Sequence, residues 1–240
     1  MLAPHPFNIM PSETASVTPD FSIRRATIHD LDDIVDIALA AMPLDPQWNW
    51  RFPHRDKFPE DERHFTLLKF KEFITSRDRW LVMVAETDIN YVRIPIAFAV
   101  WDLENIYASI RTPVIAQDSV SKESSRERRD ADRRRMQVWT KTTSLAKKRL
   151  FDRRYGLRYI QLQVLATAPQ WHRKGAATAL CTRGLQLAKM LHSSVVVFAS
   201  PMGKHVYSSL GFRQLAIVNV RADSDDDGVD LVAMSFSQFP

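Results

Sequence analysis

The chain has 240 residues, 45% of them hydrophobic and 25% charged, with a net charge of +5; this is ordinary globular composition for one large domain or two small ones. A single cysteine, Cys181, excludes an internal disulfide framework and a thiolate-rich metal site, and the seven histidines show no H-x-x-x-H spacing, so no metal is expected. No apolar run reaches the roughly 20 residues that cross a bilayer, so no membrane partner is expected.

Residues 1–19 lack a charged n-region and a continuous apolar h-region, and read as a flexible tail rather than a secretory signal. The expected compartment is the cytosol, with access to the nucleus. Residues 20–26 alternate like a half-buried strand. Thr27 and Asp30 form a capping pair. Leu31, Ile34, Val35, Ala38 and Met42 then mark one face of an amphipathic helix that ends before Pro43. Residues 43–60 hold four prolines and two tryptophans and read as an ordered loop. A second helix is predicted over Asp61–Thr75. Trp80–Glu86 and Ile94–Trp101 are predicted strands joined by a hairpin turn.

The segment 105–156 holds 14 Lys/Arg and 6 Asp/Glu, so the basicity of the chain is concentrated there. Arg126, Arg128, Arg129, Arg133, Arg134 and Arg135 are interleaved with Glu123, Glu127, Asp130 and Asp132 at i, i+3 and i+4. That spacing pairs charges on a solvated helix, and no aromatic ladder accompanies it, so no nucleic-acid partner is expected. Met136, Val138, Leu145 and Leu150 are its apolar docking residues. Tyr159–Ala166 returns to strand pattern, and Gly175 opens a helix running to about Leu191. Strand Val195–Ala199, a short helix over Lys204–Leu210 and strands Arg213–Val220 and Asp230–Phe236 follow, the last two joined by the acidic turn SDDDG. Helices and strands alternate around one sheet, so the class is α/β: one domain over 20–240 with a charged helical insert.

Leu165–Thr178, LATAPQWHRKGAAT, is the informative stretch: a strand, a proline, a basic turn with glycine, then a helix. A helix start offers unpaired N–H groups and a positive dipole end, and glycine lets a phosphate approach. Arg173 and Lys174 add charge at the same spot. His172-Arg173-Lys174-Gly175-Ala176-Ala177 resembles the Q/R-x-x-G-x-G/A acetyl-CoA signature of the GNAT acyltransferase superfamily. Tyr207-Ser208-Ser209-Leu210-Gly211-Phe212 resembles a second family signature, and Ile23–Thr27 with Asp30 is similar to its first strand and helix. The wording around Trp50-Arg51 and Pro59-Glu60-Asp61 is most like fungal members.

The resemblance implies the GNAT acyl-CoA N-acyltransferase fold: a mixed, mostly antiparallel sheet flanked by helices and splayed between its fourth and fifth strands. It implies acetyl-CoA as co-substrate, bound by the main chain of Leu165, Ala166 and Thr167 and by the turn His172, Arg173, Lys174, Gly175, Ala176, Ala177 and Thr178. Tyr207 matches the tyrosine that returns a proton to the departing thiolate. Family members often carry Glu or His on the strand before the motif. The matching inward positions here are Gln161 and Gln163, which cannot accept a proton at neutral pH. Glu86 and Asp102 are the alternative bases. Trp48, Trp50, Phe52 and Phe58 either wall an acceptor pocket or cap the sheet; Arg51 and Arg55 either face an anionic acceptor or stand in solvent, the second being expected, and Trp48, Trp50, Arg51 and Phe52 are the candidate substrate-binding residues.

The resulting expectation is an N-acetyltransferase that passes acetyl from acetyl-CoA directly to a small or amino-acid-derived amine, as a monomer or homodimer. A protein or histone acetyltransferase is the rival among enzymes. A catalytically silent acyl-CoA-binding module is the rival outside them.

Overall fold

The strand-like runs can bury their alternating apolar residues only by pairing side by side. In the computed structural model, which describes residues 21–110, 127–222 and 228–237, they form a seven-stranded sheet. The strands are β1 (Phe21–Arg25), β2 (Trp80–Ile89), β3 (Val92–Asp102), β4 (Tyr159–Thr167), β5 (Ser194–Ala199), β6 (Arg213–Arg221) and β7 (Gly228–Phe236). Their order is β1-β2-β3-β4-β5-β7-β6, and β4–β5 is the parallel pair in an otherwise antiparallel sheet. β4 and β5 pair only from Tyr159 opposite Ser194 to Leu162 opposite Val197. Beyond that point the strands diverge, so the predicted splay is present.

Helices cover both faces. On one face lie α1 (Leu31–Ala41) and α3 (Pro59–Thr75), whose Ile34, Val35, Ala38, Phe70 and Phe73 pack on Val82, Val84, Phe98 and Val100. On the other lies α7 (Ala176–Met190), whose Leu180, Cys181 and Ala188 pack on Met83, Ala85, Ala99 and Trp101. The switch between Phe98/Val100 and Ala99/Trp101 is the period-two alternation of β3. Each fully buried large side chain contributes about 1.5–3 kcal/mol. Gly184 is required where α7 meets β3, since a Cβ there would lie 2.0 Å from the Trp101 ring. A third cluster joins Phe151, Tyr159, Val196, Val220 and Leu231 under β5–β7–β6.

Several boundaries differ from expectation. The Thr27–Asp30 capping box is present, but the loop after α1 holds a helix, α2 (Pro46–Arg51). Asp45 caps it, its side chain accepting from the Gln47 N–H at 3.2 Å, and Pro46 presets the first turn. α3 starts at Pro59, two residues early, for the same N1-proline reason. The hairpin is tighter than expected. Asn90 and Tyr91 both take positive φ (51° and 66°), the conformation of a two-residue turn that lets both strands continue to it.

The charged insert departs most. It comprises α4 (Glu104–Ile110), α5 (Arg133–Ala146), a π-helical stretch at Lys147–Asp152, and α6 (Arg153–Tyr155). Residues 127–132 are not helical. Asp130 is fully buried and chelated by Arg128 at 3.0 Å, while Arg129 reaches the fully buried Asp61 at 2.6 Å. One of these pairs is local, two residues apart, and the other crosses the domain, and neither runs along a solvated helix. Asp132 caps α5, accepting from the Arg135 N–H at 2.8 Å. Val138 and Leu150 dock as expected, but Leu145 faces solvent. The tail, Glu123, Arg126 and most of the SDDDG turn lie outside the described residues. None of the described helices is long and apolar enough to cross a membrane.

Candidate active site

A cavity of ≈ 1720 Å³ opens where β4 and β5 part. One wall is β4 from Gln161 to Thr167. The Ala168 N–H donates to the Ile96 carbonyl at 2.9 Å, and the register pairs Ala166 with Phe98 and Val164 with Val100. Alternation in an antiparallel ladder then turns the main-chain groups of Leu165 and Thr167 away from β3, toward the gap. The Thr167 Oγ1 is buried and has no hydrogen-bond partner among the described residues. The His172 ring meets the Thr167 carbonyl at 2.9 Å. His172 thus pins the turn to the strand, a role that its motif position did not suggest.

The turn itself is built from left-handed backbone: Arg173 has φ 64° and Gly175 φ 88°. The first hydrogen bond of α7 runs from the Ala179 N–H to the Gly175 carbonyl. The N–H groups of Ala176, Ala177 and Thr178 therefore have no helical acceptor, and the N-cap residue, a glycine, has no side chain to cap them. Nothing lies within 4 Å of the Gly175 Cβ position, so the approach is open. Arg173 and Gly175–Thr178 line the cavity. Lys174 does not; its ammonium sits over the Trp171 ring at 4.4 Å. Unpaired strand edge, orphan Thr167 hydroxyl and uncapped helix start together fit a ligand with amides at one end and a pyrophosphate at the other.

Tyr207 stands on α8 (Pro201–Ser209), capped by Ser200, whose side chain accepts from the Gly203 N–H at 3.1 Å. Its ring packs against Phe212 at 5.5 Å, and it lines the cavity while being buried. Burial first, then the nearby Cys181 and Asp45, pushes its phenol well above the ordinary value. The hydroxyl therefore keeps its proton at neutral pH.

Gln161 and Gln163 both line the cavity, and the Gln161 amide donates to the Gln163 side-chain oxygen at 3.3 Å. Strand alternation already sets i and i+2 on one side, and a bulge opposite Val100–Trp101 leaves Gln163 out of the register with β3. Glu86 lies off the cavity, gripped by Arg24 at 2.6 Å and Arg93 at 3.3 Å. Asp102 does line it, opposite Gln161 in the ladder, and is paired with Arg79 at 3.0 Å. Asp45 is a cavity carboxylate that the sequence reading missed. Its signal was the Asp-Pro step of an N-cap followed by N1.

The far wall belongs to α2 and α5. Trp48, Arg51 and Phe52 line the cavity. Trp50 does not, because the helical turn sends it to the opposite face, into the β5–β7–β6 core. Arg51 is not in solvent. It lies over the rings of Trp139 (4.3 Å), Phe52 (5.1 Å) and Trp48 (5.3 Å). Arg55 is partly buried beside Asp56, and Phe58 lies under Arg129. From the insert, Arg128, Met136, Trp139, Thr140 and Thr143 face the same cavity.

The comparisons with known proteins agree with this architecture. The mosquito arylalkylamine N-acetyltransferase like 5b superposes with a TM-score of 0.57 at 15% identity, over 90% of this chain and 99% of that one. A Corynebacterium glutamicum structure, described as histone acetyltransferase HPA2 and related acetyltransferase, gives 0.56 at 20% identity, over 90% and 96%. An acetyltransferase of the fungus Stachybotrys chartarum is 22% identical over 218 residues, 91% of each chain. Residues 116–237, just over half of the chain, match the family described as "Acetyltransferase (GNAT) domain". With that match and a sheet splayed at its parallel pair, the chain belongs to the GNAT acetyltransferase family.

Proposed function

We propose that the protein is an acetyl-CoA-dependent N-acetyltransferase acting on a small amine. The observation that carries this reading is the continuity of one cavity from the uncapped start of α7, along the free edge of β4, to the Tyr207 hydroxyl. Acetyl-CoA would supply the acetyl group as a thioester. Leu165 and Thr167 offer main-chain amides to its pantetheine arm, and the N–H groups of Ala176, Ala177 and Thr178, with Arg173, face its pyrophosphate.

Tyr207 holds a proton on its hydroxyl for the leaving sulfur, which is general-acid assistance. Gln161 and Gln163 orient the amine or a water. They do not act as bases, since a neutral amide has no basic site at this pH. Asp45 is the carboxylate whose charge is felt at Tyr207. No nucleophilic residue is needed: Cys181 is buried in α7, and its thiol is pushed up to about 12 by that burial. Transfer is therefore direct. Arg51 and Arg128 on the acceptor wall disfavour a polycationic histone tail.

The test is incubation of the full chain with acetyl-CoA and a panel of small amines, scored by free-thiol release and by the mass of the product. Amine-dependent thiol release with an acetylated product is expected. Tight acetyl-CoA binding with no acetylation of any amine would favour the silent binding module instead.

A further inference from the structure

Arg51 is held in an unusual way for a guanidinium. Its Nε donates to the Gln47 carbonyl at 3.1 Å, and its plane lies among the rings of Trp48, Phe52 and Trp139. Among the described residues no carboxylate stands at ion-pair distance from it. A second guanidinium, Arg128, covers the Phe52 ring at 4.4 Å and is occupied by Asp130. Two cations thus share one aromatic wall of the cavity, and Arg51 has no counter-ion among the described residues. Arg51 is half-buried, and the side of its guanidinium that the rings leave uncovered faces the cavity; a cation set among aromatic rings is partly desolvated, which strengthens its attraction for an anion entering there.

We propose that the acceptor carries a carboxylate as well as its amine, and that Arg51, reinforced by Arg128, receives that carboxylate. The proposal rests on the transfer reading above and narrows its substrate class. At the other end of α2, about 9 Å along the helix axis at 1.5 Å per residue, is Asp45. Its charge acts on both Arg51 and Tyr207. The amine end then lies toward Asp45 and Tyr207, the anionic end at Arg51, and the hydrocarbon between them on the aromatic rings. A planar guanidinium matches a carboxylate with two parallel hydrogen bonds. A simple amine would leave Arg51 uncompensated, and a second cation would be repelled. Burial, then Arg128, lowers the Arg51 pKa to about 10, so it remains charged at neutral pH.

The experiment compares apolar and aromatic amino acids with their decarboxylated amines, for example phenylalanine with phenethylamine and tryptophan with tryptamine. The readout is the ratio of kcat/KM within each pair, which cancels any general loss of function. The wild-type chain is expected to favour the amino acid by about 10²-fold, the scale of a desolvated charge pair. Arg51→Gln should bring the ratio near unity, and Arg51→Lys should fall between. A wild-type ratio at or below one, or a ratio unchanged in Arg51→Gln, overturns the proposal. If no amine is acetylated, calorimetric titration of phenylalanine into the CoA-loaded protein separates the two claims. Binding lost in Arg51→Gln keeps the carboxylate site while the transfer reading fails. No binding, or binding indifferent to Arg51, overturns the carboxylate site too.

Discussion

A tyrosine in water ionises near pH ~10, and the signature around Tyr207 alone would place an alkaline limb there. The structure corrects that expectation, because burial keeps the phenol protonated well beyond its ordinary value. The rate should therefore climb with pH toward the pKa of the acceptor amine and show no fall attributable to Tyr207 up to pH ~10. A pH profile of kcat/KM with one weakly and one strongly basic acceptor checks this; a decline below pH ~10 common to both would contradict it. Tyr207→Phe removes the donated proton and little packing, so kcat should drop by roughly 10²-fold while acetyl-CoA affinity stays within a few-fold. Full turnover in that variant would reduce Tyr207 to a core aromatic.

At the scale of elements, α7 does two jobs: its start faces the cavity and its body locks onto β3. Gly184→Ala tests the lock. The new methyl would fall 2.0 Å from the Trp101 ring, and overpacking of this kind costs about 1–3 kcal/mol, which a shift of the urea midpoint would register. Cys181 lies one helical turn before Gly184, and its pKa is pushed up to about 12 by burial. In the unfolded chain the thiol ionises near ~8.5. Between those values only the unfolded state releases the proton, so stability should fall steadily as pH rises through that window, by a few kcal/mol at most. Denaturation curves from pH ~8 upward should show a slope that Cys181→Ala flattens; an equal slope in both proteins would assign the loss elsewhere. Helix α5 shows what charge patterning hides. Its Arg-rich approach reads as a solvated helix, yet Asp61 and Asp130 bury two of those arginine pairings. Pairing at i, i+4 on a helix, pairing within a loop as in Arg128–Asp130, and pairing across the domain as in Arg129–Asp61 look alike in sequence.

For the whole molecule, the sheet and the Gly175 turn were legible because each rests on local signals: two-residue alternation, a proline stop, a glycine at positive φ; the splay was implied only by the resemblance to the GNAT family. The cavity wall formed by α2 and α5 was not. Trp48, Trp50, Arg51 and Phe52 formed one cluster in sequence, but a six-residue helix sends Trp50 to the core and leaves the others facing the cavity. Arg128 and Trp139 join that wall from the insert, a contact between segments nearly ninety residues apart that no local pattern records. Lys174, expected at the phosphate from its charge in the turn and from the family resemblance, sits over the Trp171 ring. The claim on which the rest depends is that acetyl-CoA occupies the gap between β4 and β5, with its pyrophosphate at the start of α7. Calorimetric titration of acetyl-CoA into the wild-type chain and into Gly175→Glu tests it most directly. Glutamate at φ 88° costs about 1 kcal/mol of folding energy and sets a negative charge before the uncapped N–H groups. Stoichiometric binding to the wild type and its loss in the folded variant are the expected result; equal affinity in the two proteins, or no binding to the wild type, would contradict the account.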